Sequence, residues 1–160
     1  MTETPALPER SRRVHHHLVD AGIDVRIRVL PDSARTAAEA AAAIGCEVAA
    51  IANSLVFVAD DVPVLVMTSG GHRVDLDALK TSIGAVEVTM APPAVVRSAT
   101  GQVIGGVAPV GHPAPLRTYI DEALQAHDEL WAAAGHPHTV MPLTFDQLTA
   151  LTRGTVISVA

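Results

Sequence analysis

The sequence predicts a mixed α+β fold, one curved sheet flanked by helices within a single domain spanning residues 1–160. Three observations predict it. Short apolar runs rich in β-branched residues outnumber the helical periods, and turn residues separate them closely enough for hairpins to dominate. Two capping boxes, Thr36-Ala-Ala-Glu39 and Thr144-Phe-Asp-Gln147, mark helix starts. A length of 160 residues fits one domain with a substantial core, and neither a long internal repeat nor a linker interrupts it.

Element by element, residues 1–10 carry two prolines and no periodicity, so a frayed terminus is expected. Val14, Leu18 and Ala21 sit at helical spacing, and Gly22 closes that helix. His15, His16 and His17 lie inside it and point in different directions, which suits solvation rather than metal binding. Ile23, Val25, Ile27 and Val29 alternate with polar residues as in a half-buried strand, and Pro31 breaks it. The alanine-rich helix opened by Thr36 runs to Gly45. Ser54–Ala59 and Pro63–Thr68 form a hairpin across Asp60-Asp61, followed by the turn Ser69-Gly70-Gly71. A helix Leu76–Ile83 is entered through Asp75, and a strand Val86–Met90 ends at Pro92-Pro93. A short helix Ala94–Ser98 precedes a glycine-rich loop. Strands follow at Leu116–Ile120, Leu130–Ala133 and Thr139–Leu143. The second capping box opens a helix that buries Leu148 and Leu151 and ends at Gly154, before an edge strand Val156–Val159.

Composition narrows the function. Apolar residues make up 49% and aromatics only 2%, so Ala, Val, Leu and Ile must build the core. A net charge of −6 argues against sequence-independent duplex binding, which needs many phosphate contacts, though a few arginines suffice to dock one RNA end. Arg10, Arg12, Arg13, Arg26, Arg28 and Arg35 are either such contacts or ordinary solvated side chains. Cys46 is alone, which excludes an internal disulfide and a cysteine metal cluster, and its place after a helix C-terminus opposes a thiolate. No leader-like h-region and no long apolar run occur, so a cytoplasmic protein is expected.

The stretch TGQVIGGVAPVGHP, Thr100–Pro113, is the most informative of the chain. Its glycines and Pro109 make either a tight turn between strands or a loop whose N–H groups face a ligand, such as a developing oxyanion. It lacks the Lys-Ser or Lys-Thr of a nucleotide-binding P-loop. Further polar candidates stand at predicted strand ends and turns: Asn53 before the SLVF strand, His72 and Asp75 after Gly70-Gly71, His112 closing the loop, and His136 and His138 around Pro137. Each also has a structural reading, Asn53 as a turn or cap residue and Asp75 as an N-cap. His136-Pro-His138 lacks the spacing of a third metal ligand, and no GxSxG elbow supplies a nucleophile. A pocket of this kind suits water attack on an activated ester with backbone oxyanion stabilisation, or plain small-molecule binding.

Four segments in order, TAAEAAAAIGCEVAAIANSLVF, VPVLVMTSGGHRVDLDAL, TGQVIGGVAPVGH and AAGHPHTVMPLTFDQLTALT, resemble the YbaK/prolyl-tRNA synthetase insertion-domain family of editing proteins. The resemblance runs from Pro31 to the C-terminus. It implies a barrel-like mixed sheet and hydrolysis of the ester of a mischarged tRNA carrying a small residue such as alanine or cysteine, on a tRNA such as that for proline. It implies an acceptor end as partner, with a synthetase as a further one, and no cofactor, metal, membrane or DNA. The family's glycine loop supplies N–H groups near the scissile carbonyl, which here implies Gly105, Gly106 and Pro109. A ribose hydroxyl helps activate water, with His72 or His112 available for proton transfer. Where many members carry lysine this chain has Asn53, and where some carry a late Ser-Gly-Gly it has AAGHPH, which brings His136 and His138 into consideration as pocket residues. The asparagine keeps open a non-catalytic module that binds an aminoacyl end or a synthetase.

Overall fold

The computed structural model describes residues 7–31, 34 and 36–160. Of the expected frayed terminus, residues 1–6 and also Arg35 of the arginine set lie outside the described residues. Helix α1 (Glu9–Asp20) starts earlier than expected. Pro8 stands at its N-cap with no N–H to lose, and Glu9 places a carboxylate at the positive end of the dipole. It buries Ser11, Val14 and Leu18 and leaves the three histidines in solvent, as their spacing requires.

The expected strand over 23–29 shrinks to β1 (Arg28–Val29), paired antiparallel with Val140 and Thr139. Ile27 is buried and Ile23 and Val25 are half-buried against the main apolar cluster, so the alternation reports burial without a ladder. Helix α2 (Ala37–Ile44) is capped by the Thr36 hydroxyl, which accepts from the Glu39 N–H, and ends at Gly45. Strands β2 (Ile51–Ala59) and β3 (Val62–Ser69) form the expected hairpin. Asp60 and Asp61 both have positive φ, the backbone of a two-residue turn that follows the twist of the strands.

Helix α3 (Leu76–Ile83) uses Asp75 as its N-cap: Oδ1 accepts from the Asp77 and Ala78 N–H groups, so the structural reading of that residue holds. Next come β4 (Val88–Met90), α4 (Pro93–Thr100), β5 (Thr118–Asp121), a 3₁₀ turn Glu122–Ala126, β6 (Leu130–Ala133) and β7 (Thr139–Leu143). Helix α5 (Phe145–Thr152) carries the complete Thr144/Gln147 capping box; it ends on Arg153 with φ 51°, one residue before the expected Gly154. Strand β8 (Thr155–Ile157) follows.

The strand order is β1-β7-β6-β2-β3-β5-β8, with β4 added beside β2. That order has two ends, so the sheet is open rather than closed as a barrel. Hairpins do not dominate either, because β2/β6, β3/β5 and β5/β8 are parallel pairs. Helices or connecting segments carry the chain back between these strands, as parallel pairing demands. Along β3, Leu65 and Met67 join a cluster with Leu18, Ile120 and Leu148, while Val64 and Val66 join another with Phe57, Leu79 and Tyr119. Both faces of the strand are therefore covered, which explains its unbroken apolar run.

Strand β2 is paired unequally on its two edges. One edge pairs with β3 from Ala52 to Ala59. The other edge pairs with β6 only at Ile51 and Ala52, and with β4 only at Phe57–Ala59. Between these pairings, Asn53, Ser54 and Leu55 have no ladder partner on that edge among the described residues.

Candidate active site

A cleft of about 230 Å³ opens at this gap. Its apolar walls are Leu30, Ile51, Trp131 and Val140, with Ala34, Ala37 and Ala40 from around α2. Most of this lining belongs to a third apolar cluster, separate from the two that cover β3. Asn53, Ser54, Leu55, Ile104 and Gly105 also border it. Alternate residues of a strand aim their N–H and C=O at the same edge. On the open edge the Val56 carbonyl accepts from the Ala91 N–H, so the Ser54 N–H and C=O two residues earlier face the opening. Ser54 gave no signal in the sequence, because its exposure depends on where two other strands stop. Asn53 is likewise not a turn residue: it lies inside β2, half-buried, in register with Thr68 of β3.

The glycine loop is held from within by Gln102, a buried side chain that sequence reasoning passed over. Its Oε1 accepts from the Ala108 N–H at 2.6 Å, and its Nε2 donates to the Val110 carbonyl at 3.2 Å. Thr100 Oγ1 accepts from the Gln102 N–H and donates to the Val96 carbonyl, tying the loop to α4. Its burial depends on how the loop folds back on itself, so the sequence carries no signal for it. Gln102→Leu is expected to cost about 2 kcal/mol, because it strands a buried donor and acceptor. Thermal unfolding checks this, as a fall in Tm of roughly 4–8 °C.

The two adjacent glycines do different things. Gly105 has φ +89° with open space around it, borders the cleft, and its N–H has no acceptor among the described residues. Gly106 is not equivalent: its N–H donates to the Val103 carbonyl at 3.0 Å. A Cβ there would lie 2.6 Å from the His136 carbonyl carbon. Gly106 thus permits close packing of the loop on the Gly135–His138 segment instead of facing the opening.

His72 meets Asn53 at a second cavity of about 360 Å³, lined also by Leu55, Phe57, Thr68, Arg73 and Met90. Its Nε2 lies 2.5 Å from Asp121 Oδ2, and the same carboxylate accepts from the Ser69 N–H and the Thr68 hydroxyl. Asp121 Oδ1 accepts from the Ala123 N–H, so this buried residue ends β5 and caps the following 3₁₀ turn.

The remaining expected site residues are not brought to this cleft. Pro109 and His112 line a separate cavity with His17 and Arg153. His112 Nε2 lies 2.8 Å from the Ala108 carbonyl, and burial holds its pKa below the usual histidine value despite that bond. Of the segment Gly135–His138, Pro137 borders the cleft. The His138 N–H donates to His136 Nδ1, and the His138 carbonyl accepts from the Leu30 N–H. Among the described residues no group of three or more His, Cys, Asp or Glu is placed to hold a metal ion. Burial pushes the Cys46 thiol up, with the Glu129 carboxylate adding to it, which keeps the thiol protonated. Arg28 stacks over the Trp131 ring at 5.4 Å from its centroid, so one arginine of the sequence cluster sits on a cleft residue.

Comparison with known proteins agrees with this architecture. The aminoacyl-tRNA editing domain family matches residues 31–151, and the chain belongs to that family. It is similar to a solved structure described as a candidate trans-editing enzyme for prolyl-tRNA synthetase. That similarity is 42% identity and a TM-score of 0.90, covering 96% of this chain and 98% of the other. It is 30% identical over 118 residues to the uncharacterized protein YwhH of Bacillus subtilis (strain 168), covering 73% of this chain and 74% of that one. Over 92 residues it is 32% identical to proline–tRNA ligase of Nitratidesulfovibrio vulgaris (strain DP4), covering 58% of this chain but only 16% of the ligase. Among the described residues no helix is long and apolar enough to cross a membrane.

Proposed function

We propose that this protein is a trans-acting deacylase that hydrolyses the ester of a mischarged aminoacyl-tRNA. The observation that carries the reading is the interrupted edge of β2, where unpaired backbone groups border a small apolar cleft beside the glycine loop. Water attacks the ester carbonyl and charge develops on its oxygen. The Ser54 and Gly105 N–H groups are the donors for that oxyanion, and one such donor is worth ~10²–10³ in rate. The carbonyl–O bond to the ribose then breaks, the proton lost by water ends on the departing ribose oxygen, and free amino acid leaves.

The cleft is smaller than the ~300–1,000 Å³ typical of sites for larger ligands. Alanine side chains and Trp131 wall it. Such a space favours a small aminoacyl group, with alanine or cysteine the first to test. Asn53 orients the ester through its amide but brings no positive charge.

The test is release of amino acid from a panel of mischarged tRNAs, beginning with alanyl- and cysteinyl-tRNA for proline. Hydrolysis above the spontaneous rate is expected for at least one, and none at all defeats deacylation. Asn53→Ala is expected to slow the reaction about tenfold, the loss of one hydrogen bond to the reacting ester. An unchanged rate removes Asn53 from the site. Binding of charged tRNA without turnover would favour a non-catalytic module instead, a reading kept by the neutral side chain at position 53.

A further inference from the structure

The cavity lined by Pro109 and His112 takes no part in the chemistry above, yet it gathers groups that carry positive charge. It measures about 370 Å³, and His17 of α1, His112 of the glycine loop and Arg153 at the end of α5 all line it. Strand β5 contributes Thr118, which does not titrate, and among the described residues no Asp or Glu lines the space. In a chain of net charge −6, three such groups around one cavity without a carboxylate mark a place for an anion.

The fold fixes each of the three in place. Helix α1 crosses the loop at Val14. A Cβ on Gly111, which has φ +88°, would crowd Val14 Cγ2 at 3.1 Å, so a glycine beside His112 lets the helix come close. His17 follows on the next turn of that helix. His112 is held by Nε2, 2.8 Å from the Ala108 carbonyl oxygen. A carbonyl only accepts, so Nε2 carries the proton of the neutral ring and Nδ1 is left to take up a second one. Burial is the main cause that lowers the His112 pKa; the Ala108 bond opposes it, and charge on His17 lowers it further. An anion between the two rings reverses that balance and is bound together with a proton. Arg153 ends α5 with φ 51°, an unfavourable backbone for arginine, because the next residue cannot move: a Cβ on Gly154 would lie 2.7 Å from Ile120 Cδ1.

We infer that the cavity of His17, His112 and Arg153 is a binding site for a phosphate group, separate from the cleft at Gly105. Arg153 supplies the permanent charge, and the two imidazoles donate to the phosphate oxygens once protonated. Two sources carry this chemistry. One is an RNA backbone: α1 also bears Arg10 and Arg13, and its first turn lies against Gly135, close in the chain to Pro137 at the cleft. The other is a free phosphate compound. The assignment does not rest on the deacylase reading.

The probe is sulfate, a tetrahedral dianion that does not titrate near neutral pH, added to the intact protein at matched ionic strength and followed by imidazole resonances. Saturable shifts at His17 and His112 are expected, larger than those at His15 and His16 on the same helix. Affinity is expected to fall about tenfold between about pH 6 and pH 8, as the histidines lose their protons. Arg153→Gly removes the guanidinium and relieves the positive φ, so the fold is kept, and it is expected to weaken sulfate about tenfold, one charge-assisted contact. Arg97→Ala, an exposed change on α4 outside the cavity, is expected to leave binding unchanged. Equal shifts at all histidines overturn the assignment, as do an affinity that Arg153→Gly leaves intact and inorganic phosphate that fails to compete. An uncharged acceptor-stem RNA hairpin then names the source. If it displaces sulfate, and less well in Arg153→Gly, the phosphate is RNA-borne; sulfate binding indifferent to the hairpin assigns a free phosphate compound. No step needs turnover, so failure of this site leaves the deacylase reading standing, and failure of deacylation leaves this site standing.

Discussion

Gly106→Ala is expected to lower deacylation about a hundredfold, the scale of a ~1 Å misplacement of reacting groups. An added Cβ would lie 2.6 Å from the His136 carbonyl carbon and 2.7 Å from the Pro137 nitrogen. Both obstacles are main chain, so no rotamer change relieves the contact. The loop and the Gly135–His138 segment must separate, and each contributes a residue to the cleft: Gly105 on one side and Pro137 on the other. Overpacking of this sort also costs about 1–3 kcal/mol of stability. Gly105→Ala is the control, since a Cβ there meets nothing within 4 Å and the penalty is φ +89° alone. Single-turnover hydrolysis of a mischarged tRNA by both variants, with thermal unfolding alongside, separates the effects. Equal loss of rate in the two would show that the loop responds to backbone strain and not to its packing on residue 136.

What could be read in the sequence was local. The two Asp residues between β2 and β3, the Thr144/Gln147 box and the Asp75 cap each act within a few residues, and each has the role its chemistry predicts. The family resemblance marked Asn53 and Gly105, and the fold brings both to one cleft. Pro109 and His112 stood beside Gly105 in the sequence, yet the Gln102 clamp turns the loop so that they line another cavity. Nothing local encodes that turn. The same holds for Ser54 and Asp121, whose surroundings are assembled from strands far apart in the chain. Asp121 ends a run, Leu116–Ile120, that reads simply as strand, and its three Oδ2 donors come from residues 68, 69 and 72. Parallel pairing of β3 with β5 sets that contact, and periodicity carries no information about which strands pair.

Asp121→Ala is expected to be the most destabilising single change, about 3–5 kcal/mol, as for breaking other buried charged networks. The side chain is 1% exposed and accepts from two backbone N–H groups, one hydroxyl and one imidazole. Removing it leaves the Thr68 hydroxyl and the Ser69 N–H buried without their acceptor, at the end of β3. Alanine also vacates the volume that spaced β3 from the start of the 3₁₀ turn. The expected fall in Tm is roughly 6–20 °C for a chain of this size. Asp121→Asn keeps the volume and one acceptor oxygen but turns an NH₂ toward donors, so it should fall between wild type and alanine. A loss below about 1 kcal/mol in the alanine variant, the range of exposed ion pairs, would mean water replaces the carboxylate and the network is not a structural hub. The His72→Ala variant sharpens the reading. It removes one partner that is one-third exposed, so it should leave Tm nearly unchanged. Stability would then reside in the carboxylate and its backbone and hydroxyl donors, and not in the pair with the imidazole.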